Sequence, residues 1–227
     1  MPPTWLTVLA WIWVGLAFAS AGWIVYDIYG RGYRQRMRIM EVVWPVTALY
    51  FSVLSLYGYG RWGRTSTAKW IAREGERTRS FGARVAVGVT HCGSGCTLGD
   101  IIGGWLVFLI AIDILGSRLL GEYVVDYALA FTLGILFQYL TIKPMQNLSV
   151  GAGVKEAVKV DTLSLTSFEV GLFGWMALMR LVFFTDPNLE PDQIEYWFLM
   201  QVGMMLGFVT AYPVNWWLIR RGVKPAM

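Results

Sequence analysis

The sequence predicts an all-α protein, a bundle of about six helices that cross a membrane. Of its 227 residues, 56% are hydrophobic and only 15% are charged, whereas soluble domains carry about 25% charged residues. The mean hydropathy is +0.51, and six apolar windows approach the roughly 20 residues that a spanning helix needs. These observations exclude a soluble globule, a disordered chain and a soluble nucleic-acid-binding module, and the presence of only two cysteines excludes a disulfide-rich scaffold.

The first two apolar windows are joined by a basic turn. The first covers residues 4–29 and lacks the basic leading segment of a secretory signal, so we expect it to stay in the protein as a membrane span. The turn at 30–38 carries four arginines. The second window covers residues 39–59, and Pro45 near its start is expected to kink the helix.

A polar stretch separates these windows from the other four. Residues 60–84 are expected to form a basic cytoplasmic loop, in which residues 66–79 suit a helix lying on the membrane surface with Trp70 and Ile71 as apolar anchors. No connection is long enough for a second domain, so residues 1–227 are expected to form a single transmembrane domain. The remaining windows are 85–115, 123–142, 160–184 and 196–219.

The basic residues predict the orientation, with one conflict. With six spans and both termini in the cytoplasm, 13 of the 19 basic residues lie on the cytoplasmic side, as expected for short loops. The arginines of the 30–38 turn then lie outside, against that rule. The conflict disappears if the 39–59 segment enters the membrane and returns, which leaves five spans and places the amino terminus outside. Six spans is the favoured prediction, and five is the alternative.

The polar residues within the third window are the first candidates for a site. Cys92, Cys96 and Asp100 are spaced by four, so a helix places all three on one face. The only histidine, His91, precedes Cys92. Thiolate, imidazole and carboxylate groups bind transition metals, and sulfur combined with nitrogen suits copper(I) or zinc. These four residues are therefore the predicted metal ligands.

Glycines in the same stretch support a structural interpretation. Gly95, Gly99 and Gly103 repeat every four residues, and such small residues allow a neighbouring helix to approach closely. In this interpretation the whole cluster packs a tight helix crossing. The metal interpretation requires a break in the helix, because a continuous helix turns His91 about 100° away from Cys92.

Two acidic residues of the fifth window are candidates for an ion pathway. Glu169 lies about ten residues into the window, at mid-membrane depth, and Asp161 lies eight residues before it, near the same face. Ionisable groups within membrane spans are costly and therefore indicate function. Glu122 and Asp126 are expected to be solvated at the outer interface instead, and Arg180 to extend towards the outer headgroups.

Three stretches of the sequence resemble a known family. They are 91–105, with the pattern His-x-Gly-x-Gly-Cys-Thr-Leu-Gly-Asp, then 161–171, and finally 213–227. Together they resemble an uncharacterised prokaryotic family of small polytopic membrane proteins that is catalogued as a domain of unknown function. The resemblance runs from about His91 to the carboxyl end. It implies a helical membrane fold in a prokaryotic cytoplasmic membrane, and it implies no activity.

The leading functional hypothesis is a membrane protein that binds or moves a small cation, with a soft transition metal such as copper favoured. The alternative is a structural or accessory subunit of a larger membrane complex, since Gly203 and Gly207 add a second small-residue face. The expected protein partners are further copies of this chain or the subunits of such a complex. An intramembrane thiol oxidoreductase is a weaker third option, because Cys-x-x-x-Cys on a helix is poor geometry for a redox pair. No phosphate-binding loop or nucleophile elbow is present, which weighs against an enzyme and leaves the question of an activity open. The expected contacts are with lipid and membrane proteins, and none with nucleic acid.

Overall fold

A computed structural model describes residues 2–225 and contains eight α-helices in that range. The helices are α1 (Thr4–Val25), α2 (Met40–Phe51), α3 (Leu54–Gly58), α4 (Ala68–Glu74), α5 (Phe81–Ile110), α6 (Arg118–Gln146), α7 (Val150–Leu178) and α8 (Ile194–Arg220). No β-strand occurs in this range. Five of the helices, α1, α5, α6, α7 and α8, are long and apolar enough to cross a membrane. The predicted all-α bundle is confirmed.

The number of long helices corrects the favoured prediction of six spans. Residues 39–59 do not form one helix, because α2 stops at Phe51 and the short α3 begins at Leu54. Between them Ser52 has a φ of +49°, a conformation that a non-glycine residue rarely adopts. The break lies inside the protein, where the Gln201 side-chain amide donates to the Leu49 carbonyl and Ser52 donates to the Trp13 carbonyl at 3.0 Å. Side chains of α8 and α3 thus satisfy carbonyls that the break frees, since Ser55 donates to Ser52.

Both ends of this segment lie at the same end of the bundle. Asp27, at the end of the first long helix, pairs with Arg31 at 3.0 Å and with Arg64 at 3.3 Å, and it accepts a hydrogen bond from Tyr59 at 2.8 Å. The chain therefore enters the bundle after Arg31, turns back at Ser52 and returns to the same end of the bundle at Arg64. Residues 31–66 form a re-entrant helical hairpin, which matches the five-span alternative.

The ends of the helices also correct the expectation that both termini lie on one side. Thr7, near the start of α1, hydrogen-bonds Glu195 at the start of α8, so these two helices begin at the same end. At the opposite end, the rings of Phe81 and Trp216 are 4.6 Å apart, which brings the start of α5 to the end of α8. The start of α1 and the end of α8 therefore lie at opposite ends of the bundle. This follows from the odd number of long helices.

The central helix of the bundle is α5. More than half of its most apolar window, 56%, is buried, against 28–33% for the other four long helices. The helix begins after Ser80, whose hydroxyl accepts a hydrogen bond from the Ala83 N–H at 3.3 Å, a normal N-cap. It ends at Ala111 in a left-handed conformation, which is the common way to terminate a helix. Helices α2, α6, α7 and α8 all pack against α5, which is the most buried of the long helices.

Glycines bring α5 and α6 into backbone contact. A Cβ atom placed on Gly95 would lie 2.6 Å from the Gly134 Cα, and one on Gly99 would lie 2.3 Å from the Ala130 backbone nitrogen. At Gly103 the same construction gives 2.1 Å to the Asp126 carboxylate. The predicted small-residue face of α5 is therefore filled by α6 of the same chain, through the close packing that small residues permit.

Candidate functional site: a buried polar chain through the bundle

Polar side chains run through the interior of the bundle, and α5 provides the first of them. This helix continues without a break from Phe81 to Ile110, so Gly93 and Gly95 do not interrupt it. Cys92, Cys96 and Asp100 consequently lie on successive turns of one side, and each has no exposed surface.

The chain of polar groups begins with a buried ion pair at the end of the bundle that contains Asp27 and its two arginine partners, which we call the basic end. The segment after α8 folds back so that the Lys224 ammonium lies 2.5 Å from Asp161 on α7 and 3.3 Å from the Ser164 hydroxyl. Ser164 also accepts a hydrogen bond from the Asn215 amide at 2.6 Å and lies 3.0 Å from the Cys92 thiol. These polar groups are 0–1% exposed, so they form a hydrogen-bonded network that is shielded from solvent.

The lysine of this pair stays charged despite its burial. Removal from water opposes the charge on Lys224, but the neighbouring Asp161 carboxylate outweighs this cost, and the pKa of Lys224 is raised above its usual value of 10.5. A buried charge persists only where a partner of opposite charge is held close to it. Lys224 therefore holds the segment that follows α8 against α7.

Three carboxyl groups, one from each of three helices, are buried inside the bundle. They are Asp100 on α5, Asp126 on α6 and Glu169 on α7, and none is more than 2% exposed. Asp100 is within electrostatic range of both of the others. None of their six oxygens has a hydrogen-bond partner among residues 2–225. Such a group must carry a proton or meet a cation or water, because an isolated buried charge is too costly.

The glycines of α5 make room for these carboxyl groups. The Asp126 carboxylate occupies the space that a side chain at Gly103 would fill, and the Tyr196 hydroxyl from α8 lies 3.2 Å from the corresponding position at Gly104. Tyr196 is 2% exposed, and its hydroxyl has no partner in the described part of the chain. The helix packing thus adds one further polar group, the Tyr196 hydroxyl, on the side of α5 next to Gly104.

An ion-pair network closes the other end of the bundle. Arg180 pairs with Glu122 at 3.0 Å and with Glu190 at 3.6 Å, and Arg118 pairs with Glu190 at 3.5 Å. Glu122 is 3% exposed and Asp126 is fully buried. The expectation that these two carboxylates are solvated, and that Arg180 extends to the headgroups, is therefore wrong. Glu122 and Asp126 are four residues apart and so share one face of α6, and their burial shows that this face packs against the bundle.

The structure does not bring the four predicted metal ligands together. His91 Nε2 lies 2.9 Å from the Thr141 hydroxyl on α6, whereas Cys92 contacts Ser164 on α7. The cause is the unbroken helix, which turns adjacent residues about 100° apart. Within residues 2–225, no three His, Cys, Asp or Glu side chains are arranged to hold a metal ion.

The two acidic residues predicted on α7 have different surroundings. Both Asp161 and Glu169 are buried, 0% and 2% exposed. Asp161 is neutralised by Lys224, whereas Glu169 lies next to the Cys96 thiol and near Asp100, and it forms no ion pair with any basic side chain of residues 2–225. Sequence reasoning missed Asp126, Lys224 and the role of Asn215. The four-residue spacing of Glu122 and Asp126 could have identified the first, but nothing in the sequence indicates that Lys224 turns inward.

The polar chain coincides with a region that is shared with other proteins. Residues 83–224 match the model of a family described as DUF4396, a domain of unknown function. The match runs from the first turn of α5 to Lys224 and so contains every residue of the polar chain, while α1 to α4 precede it. A comparison with curated proteins found no match, and a comparison with solved structures found none either. Because the matched region covers most of the sequence, the chain belongs to the DUF4396 family.

Proposed function

We propose that this protein moves a small cation through the membrane and that this cation is a proton. The observation that carries the proposal is the group of three buried carboxyl groups, Asp100, Asp126 and Glu169, which lack hydrogen-bond partners among residues 2–225. Carboxyl groups facing the interior of a membrane bundle are typical of proton relays. A chain of this kind passes protons between neighbouring groups, and it needs no open pore.

An ion pair lies at each end of the proposed proton route. At one end Lys224 pairs with Asp161, and at the other Arg180 pairs with Glu122. The unpartnered carboxyl groups lie between these two pairs. Conduction in this proposal therefore depends on the three central groups, and the two ion pairs limit access to them.

Proton movement tests the proposal directly. The purified protein is placed in liposomes that contain a pH-sensitive dye, and a potassium diffusion potential drives protons inward. We expect Glu169→Gln to lower the proton flux about tenfold, which corresponds to a barrier raised by roughly 1.4 kcal/mol, because glutamine keeps the size but exchanges no proton. The matched control is Glu156→Gln on the same helix, whose side chain is 29% exposed.

Two results would contradict this function. One is a flux through wild-type protein that is no larger than that of empty liposomes. The other is an equal loss of flux in Glu156→Gln and Glu169→Gln, which would indicate general damage to the bundle. Unfolding temperatures of the variants, measured in the same detergent, separate a loss of function from a loss of folding.

Copper is the other cation that the sequence favours, because of Cys92 and Cys96. The geometry supports copper less well, since His91 and Cys92 contact different helices. We expect purified protein incubated with copper(I) to retain well under one copper per chain in elemental analysis. One copper per chain that disappears in Cys92→Ser and Cys96→Ser would restore these thiols as ligands and would favour metal transport instead.

The alternative of an accessory subunit receives less support from the packing. Its motivation was two small-residue faces, but Gly99 lies against Ala130 of α6, and Gly207 lies against Phe168 of α7. Both faces are therefore used within the chain. Association with itself or with other membrane proteins stays a prediction, and the size of the detergent-extracted protein tests it.

The charge distribution supports a location and an orientation for the proposed function. All but two of the 19 basic residues, Arg118 and Arg180, belong to segments at the end of the bundle that contains Asp27 and Lys224. Basic residues concentrate on the cytoplasmic side of membrane proteins. This supports a cytoplasmic membrane, in a prokaryote as the sequence resemblance implies, with the start of α1 outside and the end of α8 inside.

A further inference from the structure

A cavity at the basic end of the bundle lies apart from the polar chain. Its volume is about 940 Å³, and it lies between the returning arm of the hairpin, the start of α5 and Tyr212 of α8. Three arginines line it, Arg61, Arg77 and Arg79, together with Ser80. No acidic residue is part of its wall. The cavity is thus strongly cationic.

The positive charge of this cavity is not neutralised by the protein. Arg64, in the returning arm of the hairpin, pairs with Asp27 at 3.3 Å. By contrast, Arg61, Arg77 and Arg79 form no ion pair with any carboxylate of residues 2–225. Three guanidinium groups beside one cavity repel one another unless an anion lies between them.

The innermost of the three arginines is held rigidly. The Arg79 guanidinium donates to the Trp62 carbonyl and to the Ser66 hydroxyl, both of which are neutral. Burial without a carboxylate lowers the pKa of Arg79 below its usual range. A fixed, partly buried guanidinium with neutral partners still lacks a counter-charge, and its planar fork is well suited to phosphate oxygens.

The start of α5 adds a second source of positive potential. Ser80 caps this 30-residue helix, and Ser80, Gly82 and Ala83 all line the cavity. The first backbone N–H groups of a helix carry partial positive charge and bind anions. Arginine side chains and a helix amino end therefore converge on one cavity from separate elements.

We propose that this cavity binds a phosphate group whose negative charge is not balanced within the same molecule, carried by an anionic lipid headgroup or by a soluble phosphate. Trp62 and Tyr212 also line the cavity, and aromatic side chains of this kind are typical of the membrane–water interface. The site is distinct from the buried carboxyl groups, and the proposal is independent of proton movement. It adds a binding site for an anion at the end of the bundle where basic residues concentrate.

Calorimetric titration of the full-length protein in a neutral detergent tests this site. The probes are dioctanoyl phosphatidylglycerol, dioctanoyl phosphatidylcholine and inorganic phosphate. We expect the double variant Arg61→Gln/Arg77→Gln to bind the anionic probe about a hundredfold more weakly, roughly tenfold for each arginine that no longer donates a charge-assisted hydrogen bond to the phosphate. Both arginines are exposed, so the variant should fold, and an unchanged unfolding temperature verifies this.

The matched control is Arg84→Gln, an exposed arginine of α5 that is not part of the cavity wall. It should bind like wild type. Binding of phosphatidylglycerol alone supports the site with lipid as its source, and binding of inorganic phosphate supports it with a soluble source. The proposal is overturned if neither anionic probe binds, if phosphatidylcholine binds equally well, or if Arg84→Gln weakens binding as much as the double variant.

Discussion

Lys224→Met is expected to destabilise the folded protein by about 3–5 kcal/mol, the usual cost of removing one partner from a buried ion pair. The substitution leaves the Asp161 carboxylate, which is 0% exposed, without the ammonium that lies 2.5 Å away. It also removes a donor from Ser164. The apparent unfolding temperature in detergent measures the effect, compared between variants at one heating rate because membrane proteins often unfold irreversibly.

The control for this prediction is another lysine paired with a carboxylate. Lys159 lies 3.4 Å from Glu156, but its side chain is 65% exposed, and surface pairs contribute only about 0–1 kcal/mol. Lys159→Met should therefore have little effect. The double variant Asp161→Asn/Lys224→Met should recover part of the lost stability, because neither charge then remains alone. Equal stability of Lys224→Met and Lys159→Met would refute the buried pair.

The pH dependence of this pair has a definite sign. Because the pKa of Lys224 is raised in the folded protein, its contribution is fully present below the ordinary value of 10.5 and is lost as the pH rises through the raised value. The stability difference between wild type and Lys224→Met should therefore stay constant at neutral pH and shrink only in strongly alkaline solution.

Gly99→Ala is expected to destabilise the contact between α5 and α6 by about 3 kcal/mol, at the upper end of ordinary overpacking. The added Cβ would lie 2.3 Å from the backbone nitrogen of Ala130 and 2.5 Å from its Cα. Because these are backbone atoms, no side chain can rotate away, and the two helices must separate. Thermal unfolding and the yield of folded protein both measure this effect.

Gly174→Ala is the matched control on α7. A Cβ at Gly174 has no neighbour within 4 Å, so the substitution should be neutral or stabilise the helix by up to about 1 kcal/mol. If Gly99→Ala and Gly174→Ala have the same stability, then α5 and α6 are not in backbone contact at this position.

The hairpin shows where sequence reasoning reached its limit. The arginines at 31–38 conflicted with six spans, and this conflict predicted a re-entrant segment as the alternative. The actual break is at Ser52 and not at Pro45, which lies within α2. A serine with a positive φ is stable here because α1 and α8 contact the turn, and such contacts have no signature in the local sequence.

The sequence predicted the burial of some polar residues but not of others. Glu169 was identified from its depth in an apolar segment, because the cost of burying a carboxylate depends only on its surroundings being apolar. Asp126 lies nearer the start of its helix, and Lys224 lies beyond the end of α8, so position in the sequence indicated solvent for both. Their burial depends on Gly103, which makes room for Asp126, and on the chain turning back after Arg220.

The sequence by itself determined the class of the protein, its long helices and the residues too polar for their apolar surroundings, because these follow from hydropathy and helical period along one segment. Only the tertiary structure decided that the second apolar window is a hairpin. It also decided that the start of α1 and the end of α8 lie at opposite ends of the bundle, and that Asp100, Asp126 and Glu169 are all buried inside it. The physical reason is that burial and partnership are properties of several helices at once. A side chain's neighbours across a helix contact depend on how closely the backbones approach, and Gly99 and Gly103 permit that approach only where α6 supplies a matching surface.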